Sequence, residues 1–263
     1  MKKNYIFILL ILIISLSSCD DFFSDSWGDQ RDFARPKIEV NADNVDDWVK
    51  VAMGNPELAD VLGDLILLEL FNQAQQENQS NQWDKAALLD GGTKVVVESS
   101  GLGMSILTHA ADALTELEEE SNAESMQDIL RSVQDDFNSN GGIDAANKLA
   151  DMAVTCIDDP HGVPRFENAY TQTVQPGNVS EAIMVLVLGE LGDDPIDDNW
   201  NNVSDLSGDL AISTNKEVHV TGTNPSNISI ALAAYLNMIS DDTTGKFDKN
   251  PFTSALSDAF FGF

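Results

Sequence analysis

Apolar residues recur at helical spacing through most of the chain beyond residue 43. The clearest stripe has apolar residues three and four positions apart, at Met126, Ile129, Leu130, Val133 and Phe137. A second stripe lies between residues 143 and 157, where alanine and leucine share one side of the period. Because 3.6 residues per turn place such positions on one face, each segment is predicted to be an amphipathic helix.

Asparagine and proline mark the start of another helix. Asn55 can serve as the N-cap and Pro56 as the first helical residue of a segment predicted to be helical over 56–77. The centre of this segment, "LILLELF", is apolar nearly all round and is therefore expected to be well buried. Glu69 interrupts the apolar stripe, so its carboxylate must reach water at the helix edge or find a partner.

Further helices are predicted from caps and breakers. Asn44 can cap a short helix before "NP", and another helix is predicted over 101–120. Asn178 and Glu181 have the spacing of a capping box before "AIMVLVLGEL", which is expected to form the most buried helix. A second Asn-Pro pair, beginning at Asn224, is expected to start the helix "SNISIALAAYLNMIS".

Little of the chain is predicted to be strand. Residues 161–177 are polar and contain prolines, which indicates a long loop, and "KEVHVTG" is a possible strand within the acidic region 192–224. "TKVVVES" at 93–99 fits either strand or helix. No fixed repeat period is present. The predicted fold is mainly α, an irregular helical bundle or an array of helical pairs.

The amino end has the three parts of a secretory signal. Met1-Lys2-Lys3 is basic, "YIFILLILII" is ten apolar residues without a break, and small residues precede Cys19. An ordinary membrane-spanning helix needs about 20 apolar residues, so this run is too short to be one. No other segment approaches that length, and we therefore expect no transmembrane span after cleavage.

The end of this signal, Leu16-Ser17-Ser18-Cys19, resembles a bacterial lipobox. The resemblance implies a diacylglycerol on the Cys19 sulfur, cleavage before Cys19, and frequent acylation of its new amino group. Ser18 departs from the commoner glycine or alanine of that motif, and a plain signal with an incidental cysteine is the alternative. Two or more acyl chains would hold the protein stably at a membrane.

The lipobox divides the chain into three parts. Residues 1–18 are expected to be the lipoprotein signal peptide, 19–43 the lipidated cysteine with a flexible acidic tether, and 44–263 the helical domain. "DFFSDSWG", just after the cysteine, resembles the start of predicted lipoproteins of spirochaetes, most of them uncharacterised. These resemblances imply a cell-envelope protein, lipid-anchored to the inner or outer membrane after export. Trp27 in the tether is a candidate for the membrane interface.

Acidic residues outnumber basic ones 44 to 14. Loss of the signal changes the formal net charge from −30 to −32, because Lys2 and Lys3 are removed with no acid. Such a chain lacks the basic residues that displace counterions from phosphates, so nucleic acid is not an expected partner. Solubility is the simplest consequence of the charge, and a preference for cations or basic partners is the alternative.

No motif in the chain specifies an enzymatic reaction. His109, His161 and His219 lack the paired spacing of a zinc site, and His109 is expected to be a partly buried helix residue. "STNK" at Ser213 has Ser-x-x-Lys spacing without the supporting motifs of serine acylases, and "GGTK" at Gly91 lacks P-loop spacing. We therefore expect a non-enzymatic protein without a cofactor other than the covalent lipid.

Carboxylates are the remaining candidates for chemistry. One short loop has four that could help to bind a divalent cation such as calcium, at Asp193, Asp194, Asp197 and Asp198. Solvated turn residues are the alternative. Glu69 is a further candidate because an apolar setting raises a carboxyl pKa, although a helix-edge position is the commoner outcome. Two carboxylates could also serve as the acid and base of an envelope hydrolase.

The remaining conspicuous side chains are expected to be structural. Cys156 lies on an apolar helical stretch and should be a buried thiol without a disulfide partner. Trp48 and Trp83 are expected in the core. The sequence thus predicts a membrane-anchored lipoprotein whose acidic helical domain binds an envelope protein or has a structural role. The alternative is a lipoprotein that binds a ligand or divalent cation as a transport accessory.

Overall fold

A computed structural model describes residues 38–75, 82–106, 108–109, 123–192, 208–242, 245–247, 249 and 253–254. The helices are α1 (Val45–Ala52), α2 (Pro56–Ala74), α3 (Gln82–Ser99), α4 (Ala123–Ser139), α5 (Gly142–Val154), α6 (Asn168–Thr173), α7 (Pro176–Leu191) and α8 (Asn227–Ser240). The strands are β1 (Leu210–Ile212) and β2 (Val218–Val220). The described chain is mainly helical with a single two-stranded sheet, as the sequence predicts.

The predicted start of α2 is confirmed. Gly54 has φ +78°, a left-handed conformation suited to glycine, and ends the turn after α1. The Asn55 side chain accepts a hydrogen bond from the Leu58 amide, with Pro56 at the first helical position. Asn44 precedes α1 without capping it, because its side-chain oxygen accepts from the Asn41 amide instead.

The central helix α3 packs against α1, α2, α5, α6 and α7. Close approach on two sides depends on the glycines of "GGTK". A Cβ on Gly91 would lie 2.5 Å from Val45 Cγ2, and one on Gly92 would lie 2.6 Å from Met152 Sδ. Thr93 Oγ1 donates to the Leu89 carbonyl one turn earlier. "GGTK" is therefore the interior of a buried helix, and the ambiguous segment 93–99 is helical.

The most buried helix is α8, and the prediction that this would be α7 is wrong. Twelve of the 14 residues of α8 are buried, because it packs against α5, α7 and β2. It begins with Ser226 as N-cap, whose hydroxyl accepts from the Ser229 amide, rather than at Asn224-Pro225. Among the described residues, no helix is both long enough and apolar enough to cross a membrane.

Two other boundaries differ from the sequence prediction. The expected loop at 161–177 contains the short helix α6, whose Tyr170 is buried against Phe166 with ring centroids 4.5 Å apart. Helix α7 begins at Pro176, so Asn178 lies inside the first turn rather than at a capping box with Glu181. Of the helix predicted over 101–120, residues 102–106 and 108–109 are helical and most of the rest lies outside the described residues.

The strand predicted at "KEVHVTG" is confirmed as β2. It pairs antiparallel with β1, with Leu210 opposite Val220 and Ile212 opposite Val218. The Ser213 hydroxyl accepts hydrogen bonds from two amides of the connecting turn, so "STNK" is the turn of this hairpin. The hairpin is fixed to α8, because the Asn237 side chain bonds both backbone groups of Val218.

Candidate functional site

Several residues singled out by the sequence lie outside the described residues. Cys19 and Trp27 are among them, and so are the four candidate cation ligands Asp193, Asp194, Asp197 and Asp198. Lipidation and cation binding at these positions therefore stay predictions. Within the described ranges, no three side chains of His, Cys, Asp or Glu are grouped so that they could hold a metal ion.

A serine and a histidine from the helical residues 102–106 and 108–109 meet an aspartate of α4. His109 Nε2 lies 2.9 Å from Asp136 Oδ2, and Ser105 Oγ donates to the same oxygen at 3.1 Å. In a nucleophilic triad the imidazole takes the proton of the serine. Here both groups bind the carboxylate and Ser105 is buried, so the arrangement joins two helices. The expectation of a partly buried His109 is confirmed.

Cys156 is a buried free thiol, as predicted, just beyond the end of α5. Burial raises its pKa to about 12, opposed by a hydrogen bond with Thr155 and by the charge of Lys85. Because the thiolate is the nucleophilic and metal-binding form, this cysteine is chemically inert in the folded protein.

Asp90 organises a polar cluster at the start of α7. Its Oδ1 accepts from Asn178 Nδ2 at 2.6 Å and from the Gln175 amide at 3.4 Å, while its Oδ2 pairs with Lys94 at 3.2 Å. Asp90 of α3 thus supplies a cap for α7, because the N-cap residue of α7, Gln175, makes no side-chain cap bond.

Glu181 lies one turn further along α7. Burial raises its pKa to about 7, opposed by the charge of Lys94 and reinforced by that of Asp90. Lys94 pairs with Asp90, and its charge also acts on Glu181, while this set has no third carboxylate for a metal. The cluster is therefore a structural junction with one titratable group, which sequence reasoning misread as a capping box.

Glu69 has a partner, which is one of the two outcomes that the sequence left open. Its Oε1 accepts from Gln73 Nε2 at 3.0 Å, one turn later on α2. Gln73 is itself buried, and its Oε1 has no hydrogen-bond partner in the described structure. Glu69 consequently orients a buried amide at the edge of α2, and nothing in its surroundings indicates a catalytic carboxylic acid.

The outward side of α2 carries exposed apolar side chains. The relative exposure is 50% for Val61, 58% for Leu68 and 43% for Phe71, while Leu62 and Ile66 on the opposite side are fully buried. Residues seven and ten positions apart share one face of a helix, so these three form a stripe. The prediction that "LILLELF" is well buried is wrong on this side.

Exposed large apolar side chains are confined to one part of the described chain. Their positions are Val51, Val61, Leu68, Phe71, Trp83 and Met104. Trp83 is 55% exposed, which corrects its predicted core position, whereas Trp48 is partly buried against the core as expected. Among side chains described from residue 123 onward, no large apolar residue reaches this exposure. Among the described side chains, the large exposed apolar residues therefore lie in α1–α3 and the turn that follows α3.

Acidic residues accompany the stripe. Asp60 lies at one edge of it and Asp64 lies among its apolar residues, and Lys148 of α5 pairs with both carboxylates at 2.7 Å. Lys148 reaches them beside Gly63, where a Cβ would lie 3.0 Å from Lys148 Cδ. The lysine side chain is 12% exposed while the carboxylates are 59% and 65% exposed. The two carboxylates are therefore the part of this ion-paired group that is exposed to solvent.

We call Val61, Leu65, Leu68 and Phe71, with Asp60 and Asp64, the α2 face. A helical wheel of residues 56–74 would have revealed this face, because seven consecutive residues with six apolar ones must occupy every side of a helix.

No protein-family model matches the chain, and no curated protein or solved structure is significantly similar to it. The α2 face is the candidate functional site on its own physical features.

Proposed function

We propose that this protein is a lipid-anchored component of the bacterial cell envelope whose acidic helical domain binds another protein without catalysis. The lipobox resemblance at Leu16–Cys19 supports the anchor. Electrostatic attraction between the protein and the membrane is not needed, because the acyl chains supply the attachment. The acidic domain is repelled from anionic lipid and stands away from the bilayer.

The α2 face is the observation that carries the interaction role. Soluble proteins scatter exposed apolar side chains singly, whereas a contiguous group with a polar border is typical of an interaction site. In the described residues, the exposed large apolar side chains lie only between positions 51 and 104. Three of them, Val61, Leu68 and Phe71, share one face of α2, and this grouping supports an interaction role.

Membrane fractionation tests the anchor. Cys19→Ala should move the protein from the membrane fraction to the soluble extracytoplasmic fraction and abolish incorporation of labelled palmitate. Cys156→Ala is the matched control, because it removes the other cysteine, which is buried in the domain. Palmitate incorporation that persists in the Cys19→Ala protein would remove the anchor from the proposal.

Site-specific photocrosslinking tests the interaction. A crosslinking residue at position 68 should give a discrete product of higher mass in intact cells, because Leu68 lies on the α2 face. The same residue at position 147 is the control, since Asn147 is an exposed polar position on α5. Equal products at both positions, or none at 68, 71 and 83, would contradict the interaction role.

A further inference from the structure

The α2 face has the dimensions of a site for one helix. From Val61 to Phe71 it extends about 15 Å, at 1.5 Å per residue, which is close to three helical turns. Leu65 lies beside them and is partly buried against the core, while the exposed Asp64, three residues after Val61 and four before Leu68, adds a carboxylate within the same row. Amphipathic helices are recognised by such surfaces through apolar side chains at i, i+3, i+4 and i+7.

An exposed aromatic side chain, Trp83, lies near one end of the stripe. The Gly54 amide, just before α2, donates to Glu98 Oε1 near the end of α3, so the two helices run antiparallel. Trp83 in the first turn of α3 consequently lies at the same end of the pair as Phe71. Aromatic side chains at such a position supply large contact area with little loss of side-chain entropy.

Charge decides which kind of helix fits. Asp60 lies at the edge of the apolar stripe and Asp64 within it, and both are more than half exposed, whereas their cation Lys148 is nearly covered. Glu57 in the first turn of α2 adds another exposed carboxylate. The whole chain has 44 acidic and 14 basic residues, so the long-range potential has the same sign as the local one.

Two other occupants fit this charge less well. A second copy of the chain packed on the same face would bring two acidic surfaces together, since a two-fold interface uses the same patch of both copies. An anionic membrane surface would be repelled in the same way. A partner whose apolar stripe is flanked by lysine or arginine meets both the apolar and the acidic parts of the face.

We infer that the α2 face binds a cationic amphipathic helix of a protein partner, with the partner's apolar side chains on Val61, Leu68 and Phe71 and its basic side chains on Asp60 and Asp64. This inference rests on the proposed function, because it names the partner class for the interaction proposed above. The acidic edge guides association and sets specificity, and the stripe provides most of the affinity.

The test uses the mature, lipidated full-length protein held in phosphatidylcholine nanodiscs, with empty nanodiscs as the blank. The probe is a fluorescent amphipathic peptide of about 18 residues built from leucine and lysine, which spans about five turns. Its matched control replaces every lysine with glutamine. Fluorescence anisotropy measures the Kd of each peptide at low and high salt.

The cationic peptide should bind at least about tenfold more tightly than the glutamine peptide, and the difference should shrink at about 0.5 M salt, where charges are screened. The double variant Leu68→Ser, Phe71→Ser should weaken binding about tenfold or more, since two exposed contacts are lost. Met104→Ser is the matched control, because Met104 is 63% exposed but does not belong to the α2 face. It should change Kd by less than about twofold.

Three results would overturn the inference. Equal binding of the two peptides would remove the charge requirement, and equal weakening by Met104→Ser would remove the site. Concentration-dependent dimerisation that the double variant abolishes, measured by sedimentation, would make a second copy the occupant.

The inference and the proposed function can fail separately. Crosslinks at position 68 in cells, together with no binding of the cationic peptide, would retain the interaction role and reject this partner class. Binding of the peptide at the α2 face together with no crosslinks in cells would support the chemistry of the face and reject the proposed function.

Discussion

Asp90 and Lys246 act on opposite sides of one helix junction. Asp90 accepts from the Gln175 amide where α7 begins, and Lys246 Nζ donates to the carbonyls of Thr171 and Gln172 where α6 ends, at 3.3 and 3.2 Å. Helix ends leave amides unpaired at the start and carbonyls unpaired at the finish. An anion and a cation from distant parts of the chain therefore satisfy both ends, although burial lowers the pKa of Lys246.

Asp90→Ala should destabilise the fold by about 2–3 kcal/mol, because it leaves the buried side-chain amide of Asn178 without its acceptor and removes the acceptor of the part-buried Gln175 amide. Asp90→Asn should cost less, since its amide oxygen can still accept from Asn178 while the ion pair with Lys94 is lost. Urea unfolding measures both changes. Asp84→Ala is the control on the same helix, where the exposed carboxylate contributes less than about 1 kcal/mol. A loss for Asp90→Ala no larger than that control would contradict the capping role.

Gly91→Ala should destabilise the protein by about 1–3 kcal/mol, although glycine to alanine inside a helix is ordinarily favourable by about 1 kcal/mol. The added Cβ would lie 2.5 Å from the stiff Val45 side chain. Gly92→Ala should cost less, because its contact is the flexible Met152 side chain. Gly177→Ala in α7 is the matched control, with no atom within 4 Å of the new Cβ, and should not destabilise. Thermal unfolding of the three variants gives the order, and a stabilising Gly91→Ala would refute the packing of α1 on α3.

Glu181 should make stability depend on pH. Its pKa rises from 4.5 to about 7 on folding, mainly through burial, so the folded state binds the proton more tightly. Its favourable contribution is complete below pH 4.5 and is lost as the pH rises towards 7 and above. Glu181→Gln should therefore unfold at higher urea than the original protein at pH 8, with the difference much smaller at pH 5 and vanishing below pH 4.5. Equal differences at both pH values would show that Glu181 does not titrate on folding.

Sequence reasoning succeeded where one local rule acts alone. The stripe that includes Val133 and Phe137 became α4 with both side chains buried, and the Asn55 cap formed as expected. These features depend on the helical period and on a cap within the same turn, so neighbouring residues determine them.

The failures have a common physical cause, which is tertiary packing. Helix α3 has no clean stripe because it is enclosed on several sides and buries Asp90 and Thr93 through partners far along the chain. The Asn178 and Glu181 spacing mimics a capping box, but the cap comes from Asp90 on another helix. Leu68 was expected to be buried, because apolarity alone does not tell which side of a fully apolar helix finds a neighbour.

Cys156 should be unreactive in the folded protein. Its side chain is buried, and burial raises its pKa to about 12, so very little thiolate is present or accessible at pH 8. A disulfide reagent should release no colour from the native mature protein and one equivalent after unfolding in urea, because Cys19 would be a thioether. Rapid modification without urea would contradict the burial, and two equivalents in urea would contradict the lipidation of Cys19.

Lys148 offers a test of both the fold and the α2 face. Burial lowers the pKa of its amine, but hydrogen bonds and charges of Asp60 and Asp64 outweigh burial, so the net pKa is raised. Lys148→Gln should destabilise the domain by about 1 kcal/mol, since the pairs are partly exposed and screened. It should also tighten binding of the cationic peptide about two- to fivefold, because it frees two carboxylates at the edge of the stripe.

The control for Lys148→Gln is Lys50→Gln, since Lys50 pairs with Asp47 at 3.3 Å and both are strongly exposed. That variant should leave the free energy of unfolding within about 0.5 kcal/mol and the peptide Kd within about twofold. Unfolding in urea and peptide anisotropy give the two readouts on the same preparations. If Lys148→Gln weakened peptide binding instead, the lysine would be part of the contact surface, and the acidic edge would not be what selects a cationic helix.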